Sequence, residues 1–277
     1  MTISSRNGFF KAGIILATVS LSLITVAAFI ILPVYPKLSS AAVQRSGGVI
    51  QALVCPFLDP APYVPFAAMT AAVVYALVTM ILIYYFFEKT QAPEILFFAF
   101  FVLSLAFEGV RTMIPLKQVY ALPGVFLVMA SRVLLFGRYF GIFSLFTASV
   151  YASGLEIQKQ GYVVFILTAA TLMIALGVPI DALSWDSSLA MLSGYMEMFR
   201  MVEASIIGIT IMSFFVSAYS RDSREYIFVG IGSFLVFLGR NMLISADTWI
   251  TPVPAVVILT LGTWFICTQL HRVYLWL

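Results

Sequence analysis

Seven ionisable residues fall inside stretches apolar enough to cross a membrane, and they are where this sequence could do chemistry: Glu108, Arg111, Arg132, Glu197, Arg200, Glu203 and Arg240. A charge in hydrocarbon costs at least ~2.5–3.5 kcal/mol on insertion scales, so each must face the bundle interior, find a partner or line a cavity. Their types favour recognition or ion pairing over proton relay. Arginine does not deprotonate at working pH, and its planar fork holds carboxylate or phosphate through two parallel hydrogen bonds. The three carboxylates balance Arg111, Arg200 and Arg240, which leaves Arg132 either to find a carboxylate or to supply a positive surplus for a small anionic or zwitterionic ligand or a lipid head group.

Spacing sharpens the expectation. Glu108 and Arg111 are three apart and share a helix face with Ser104, while Glu197, Arg200 and Glu203 form a polar stripe near Ser193. At 1.5 Å per residue, Arg111 and Glu108 lie ~8 and ~12 Å below the outer end of their helix, Arg200 and Glu203 ~5 and ~9 Å inside theirs, and Arg240 ~9 Å inside its own. The coincidence of depth predicts one connected cluster in the outer half of the membrane, with Arg132 beneath it. It serves either as interhelical ion pairs that set the register of the bundle or as a polar pocket open to the outer face.

Other chemistries lack their residues. One histidine, His271, and two cysteines, Cys55 and Cys267, do not assemble a metal site in one subunit, so no metal and no cofactor is expected. All five lysines, Lys11, Lys37, Lys89, Lys117 and Lys159, sit at or beyond helix ends, which excludes a retinal Schiff base. Serines such as Ser131 and Ser205 have no histidine base, and no catalytic set is assigned. The net charge of +3 comes without any run of Lys and Arg, which argues against nucleic acid.

The elements that must carry these charges follow from composition. Of 277 residues 62% are hydrophobic and 10% charged, with a mean hydropathy of +1.06; soluble domains carry about 25% charged residues. Windows long enough to span, at ~20 residues each, fall near 12–33, 66–87, 95–116, 119–139, 162–182, 196–219, 226–246 and 253–275. The fold class is therefore an all-α polytopic membrane protein, a single transmembrane domain over 1–277 with about eight helices and no soluble domain. Apolar sequence runs on past the fourth window to Gly154, so the fourth helix is expected to be long or bent, with Arg138 near its inner boundary. The positive-inside rule counts Lys and Arg in short loops. Arg6, Lys11, Lys89, Lys159, Arg221, Arg224 and Arg272 then lie inside, against Lys37, Arg45 and Lys117 outside, so both termini are cytoplasmic. Segment 34–65 is an outer-face loop, cut by Pro36, Pro56, Pro60 and Pro62 into a connector or a lid.

Prolines fall at or near helix ends and not at mid-membrane, unlike the broken helices of many carriers. Gly137, Gly208, Gly230, Gly232 and Gly262 read as close-packing positions. Tyr84, Tyr85, Phe86, Phe87, Trp185, Trp249, Tyr274 and Trp276 read as interfacial anchors, and Phe97, Phe98, Phe100 and Phe101 as lipid contact and packing. The connections on the inner side are too short to hold an output domain. The reading is a non-catalytic, receptor-like sensing or assembly subunit of the bacterial inner membrane. It works with membrane lipid and with a protein partner or a second copy of itself; a small-solute or ion transporter is the alternative, and a lipid-modifying membrane enzyme stands third.

Overall fold

The computed structural model describes residues 3–31, 33, 63–88, 90, 92–120, 122–185, 189 and 191–275. Among the described residues, eight helices are long and apolar enough to cross a membrane: Ile3–Ile31, Val64–Phe87, Pro93–Lys117, Gly124–Ala152, Gln160–Gly177, Glu197–Ser220, Glu225–Ile244 and Pro252–Tyr274. The chain is a helical, multi-pass membrane bundle. Apart from its final residues, the expected outer loop lies outside the described residues, as does Cys55.

Proline punctuates the ends for a local reason. Pro93 stands in the first turn after an extended Ala92, and Pro123 holds an extended conformation just before Gly124. Both use a residue with no N–H where a helix start has no acceptor for one. The fourth span is one continuous helix of 29 residues. It begins at Gly124, whereas residues through Tyr120 extend the third span as a separate short helix, Met113–Tyr120. The start is five residues later than the apolar window suggested, and every depth along this helix shifts with it.

The third span is the axis of the bundle. Its most apolar window is 83% buried against 22% in the first, fifth and sixth spans, so it touches protein on all sides where they face lipid. Phe97, Phe98, Phe100 and Phe101 are all buried, and their rings pack on Tyr151, Phe140 and Phe237 of the fourth and seventh spans. The expectation of lipid contact for this phenylalanine run is thereby corrected. A helix apolar on every face is either lipid-exposed or central, and its periodicity is the same in both cases.

Tight crossings bring the neighbours close. A side chain on Gly109 would collide with Ser20 of the first span, and one on Gly141 with Ser104. The seventh and eighth spans meet backbone to backbone: a Cβ on Gly232 would stand 2.9 Å from the Gly262 carbonyl, and one on Gly262 would stand 2.7 Å from the Gly232 carbonyl. Such small-residue seams are how membrane helices gain dispersion contact where lipid removes the hydrophobic driving force. A Cβ on Gly208, by contrast, would meet nothing from the other described helices within 4 Å.

A short antiparallel hairpin, β1 (Ile180–Trp185) and β2 (Met191–Ser193), joins the fifth and sixth spans at the end of the bundle away from the chain termini. At the terminal end, Arg6 donates to the last carbonyls of the second span, Phe87 O at 3.0 Å and Glu88 O at 2.6 Å. A cation at a helix C-terminus is favoured by the dipole and satisfies carbonyls that lack an internal partner.

Candidate functional site

The charges of the third span sit on its least regular part. Leu105–Thr112 is a 3-10 stretch of eight residues between two α-helical segments, and such runs longer than three or four residues are uncommon and often mark a hinge or strain. Ser20 of the first span donates to the Ala106 carbonyl at 2.6 Å within this stretch, and Thr112 donates to the Gly109 carbonyl at 2.8 Å. These outside and local bonds take over carbonyls at which the regular ladder changes pitch.

Glu108, 3% exposed, points from this stretch to the fourth span. Arg138 meets it with a two-pronged fork, Nε to Oε1 at 2.8 Å and Nη2 to Oε2 at 3.0 Å. Arg111 adds Nη1 to Oε2 at 3.1 Å and donates Nε to the Leu189 carbonyl at 3.3 Å. Arg240 of the seventh span completes the group, donating Nη2 to the Arg138 carbonyl at 3.0 Å and Nη1 to Asn241 Oδ1 at 3.0 Å. Glu203 is half-buried on the sixth span, which packs against both the fourth and the seventh. Two guanidinium groups thus hold one carboxylate and a third is tied to the backbone of Arg138, leaving a surplus of two positive charges, or one once Glu203 is counted.

Leu189 closes the far side. It lies between the two strands, with a left-handed φ of 57° that is uncommon for an apolar residue with a branched side chain. It is buried against a core that includes Ile24, Ile31, Phe66, Met69 and Leu127. Between the second, third and seventh spans, a narrow crevice lined by Met69, Ala72, Leu105, Glu108, Arg111 and Leu243 has no room for a water molecule. The centre is packed closed on this side, and Arg138, with a side chain 17% exposed, is its most accessible member.

The structure brings together Glu108, Arg111 and Arg240, with Glu203 nearby, and separates the remaining three expected residues from them. Arg132 is not beneath the centre. It donates to the Ala175 carbonyl at 2.7 Å and to the Leu176 carbonyl, capping the last turn of the fifth helix. Counting from Gly124, Arg132 is ~12 Å along its helix and Arg138 ~21 Å, which puts Arg132 nearer the start of the helix than the centre and moves Arg138 from the inner boundary to the middle of the helix. Among the described residues, Glu197 and Arg200 pair only with each other, at 3.4 Å, with side chains 80% and 62% exposed. They lie in the first turns of the sixth helix, where long side chains reach the interface. Replacing both by alanine is expected to change stability by no more than about 0.5 kcal/mol, as for an exposed pair; a fall comparable to that for Glu108 in a thermal unfolding series would tie them to the centre.

Two participants escaped the sequence reading, Arg138 and Glu94. Arg138 was concealed by a window boundary. The signal available was its position six residues, nearly two turns, beyond Arg132, too deep for a helix end once the helix starts at Pro123 and Gly124. Glu94 follows a proline at a helix start and reads as a solvated first-turn acid, yet it is 2% exposed. Tyr274, expected as an interfacial anchor, is its partner.

No family model matches the chain, and no solved structure matches it. An uncharacterized protein of Treponema pallidum (strain Nichols) is 32% identical over 89 residues, which cover 32% of this chain and 26% of that protein. The overlap is a local similarity. It spans about a quarter of the relative's length and carries no function with it, so the functional reading rests on the geometry of the charged centre.

Proposed function

We propose that this protein is a non-catalytic sensing or assembly subunit of a bacterial inner membrane, in which the arginine centre recognises a phosphate- or carboxylate-bearing group, free or on a lipid. Both termini are cytoplasmic in this reading, by the excess of Lys and Arg on that side, and the centre lies near mid-membrane, at the midpoint of the fourth span. The observation that carries it is the surplus of guanidinium charge around a single, fully engaged carboxylate. Arginine forks match phosphate and carboxylate geometry, and Arg138, which presents both prongs of its fork to Glu108, is the most accessible of the three. The 3-10 stretch supports a switching role, since a helix segment between two pitches is a natural place for two arrangements of similar energy. The closed gap beside Glu108 suits recognition or switching better than a permeation path.

The experiment compares thermal unfolding of the protein in nanodiscs of phosphatidylcholine alone, of phosphatidylcholine with phosphatidylglycerol, and of phosphatidylcholine with inorganic phosphate. A stabilisation by the anionic lipid alone assigns a head group, and one by phosphate assigns a free anion. In either case Arg138→Gln should abolish it while Arg200→Gln preserves it. An equal response of Arg138→Gln and wild type to both anions would overturn the reading. Uptake of phosphate into proteoliposomes, saturable and lost in Arg138→Gln, would replace it with the transporter.

A further inference from the structure

A second buried polar group lies at the terminal end of the same helix that carries Glu108. Glu94, in the first turn of the third span, receives the Tyr274 hydroxyl of the eighth span on Oε2 at 2.5 Å and the Tyr226 hydroxyl of the seventh on Oε1 at 3.4 Å. Arg221, the residue that ends the sixth helix, donates Nη1 to the Tyr226 hydroxyl at 3.3 Å and stacks on its ring at 5.5 Å. One carboxylate therefore ties together four spans at their ends. A few residues earlier in the chain Glu88 is exposed, so water was within reach, and a carboxylate drawn inward at this depth costs free energy that only its partners offset.

Glu94 and Glu108 stand fourteen residues apart on the third span, Glu94 in its α-helical segment and Glu108 in the 3-10 stretch that continues it. Any rotation or slide of this helix moves both. Its surroundings allow it little independent motion, because it is the most buried span and packs tightly where Ser20 of the first span meets Gly109 and Gly141 of the fourth meets Ser104. Packed elements of this kind respond by switching between arrangements and not by gradual bending.

We propose that Arg221, Tyr226, Glu94 and Tyr274 form a latch at the terminal end of the bundle, coupled through the third span to the arginine centre, so that a change at Glu108 and Arg138 releases the junction of the sixth and seventh spans. The proposal rests on the reading of the arginine centre as a recognition site and states how its occupancy reaches the other end of the molecule. Coupling of this kind is reciprocal: opening the latch changes the affinity at the centre by the factor with which the ligand opens the latch.

The test uses the full chain in nanodiscs, with Cys55→Ser and Cys267→Ser, and a reporter Ala218→Cys at a buried position three residues before Arg221. Maleimide labelling of the reporter should be slow, and Tyr274→Phe or Glu94→Gln should speed it about tenfold, the factor for losing one charge-assisted hydrogen bond. Arg138→Gln should speed it as well, although it lies at the other centre. A separate reporter, Ser153→Cys, exposed at the end of the fourth span, should label at one rate in all of these backgrounds, which shows that the bundle remains folded. An unchanged rate in Tyr274→Phe overturns the latch, and a latch that opens in Tyr274→Phe but not in Arg138→Gln overturns the coupling. Opening in Arg138→Gln together with no anion response in the wild type sustains the latch and removes the recognition reading alone.

Discussion

Replacing Glu108 by glutamine should destabilise the protein by about 3–5 kcal/mol, the cost of leaving buried charge without its counter-charge. The carboxylate receives three charge-assisted hydrogen bonds from two arginines, and its surroundings exclude water on the side of the second and seventh spans. Neutralising it leaves Arg111, Arg138 and Arg240 repelling one another in a medium where repulsion is poorly screened. The Arg138→Gln variant should lose less, because its side chain is partly exposed and one arginine remains on Glu108. Combining Glu108→Gln with Arg138→Gln should cost less than the sum of the two single losses, since the second change removes a charge that the first stranded. Thermal or denaturant unfolding in mild detergent reads all three. A Glu108→Gln variant within about 0.5 kcal/mol of wild type, the ordinary range for surface changes, would mean that the centre is wet and open, and the closed description of it would fall.

The second large effect is expected at the seam of the seventh and eighth spans. Gly262→Leu places a side chain where its first carbon would stand 2.7 Å from the Gly232 carbonyl and 2.9 Å from the Val236 amide nitrogen. Backbone atoms on the opposite helix cannot turn aside as a flexible side chain can, so the two helices must separate along their length. Overpacking typically costs about 1–3 kcal/mol, and a clash with backbone belongs at or above the upper end. The reciprocal variant Gly232→Leu should behave alike, with 2.9 Å to the Gly262 carbonyl. Gly208→Leu is the matched control, facing open space on the sixth span. The yield of monodisperse protein and its melting temperature should fall sharply for the first two and stay near wild type for the third. Equal behaviour of all three would show that the seam is looser than described.

The seam variants also separate the two functional centres from mere integrity. Arg240 lies on the seventh span, two turns beyond Gly232, and Tyr274 ends the eighth. A shifted seam should therefore disturb both centres together, whereas Arg138→Gln and Tyr274→Phe each begin at one of them.

Much of this was legible in the residue order. Long apolar runs bounded by proline, glycine and charge specify spanning helices, because lipid offers no partner for a bare peptide group and each segment must satisfy its own. For the same reason Glu108, Arg111 and Arg240 could be marked as inward-facing before any helix was placed: an isolated charge in hydrocarbon is too costly to face lipid. Gly232 and Gly262 could be marked as packing positions by their lack of a side chain, although nothing in the sequence separated them from Gly208.

Partner choice is what only the tertiary structure decided. Depth along a helix depends on where the helix begins, and an apolar run that continues through a turn conceals that start; a shift of five residues put Arg138 at the depth expected of Arg132. Which face of a uniformly apolar helix meets protein depends on its neighbours, so the phenylalanines of the third span read alike as core or as lipid contact until the fourth and seventh spans were seen packed on them. Glu94 and Tyr274 are 180 residues apart, and no local pattern links them. A sequence records that a buried charge must be satisfied, since that requirement belongs to the residue and its solvent, but the identity of the group that satisfies it is a property of how the helices cross.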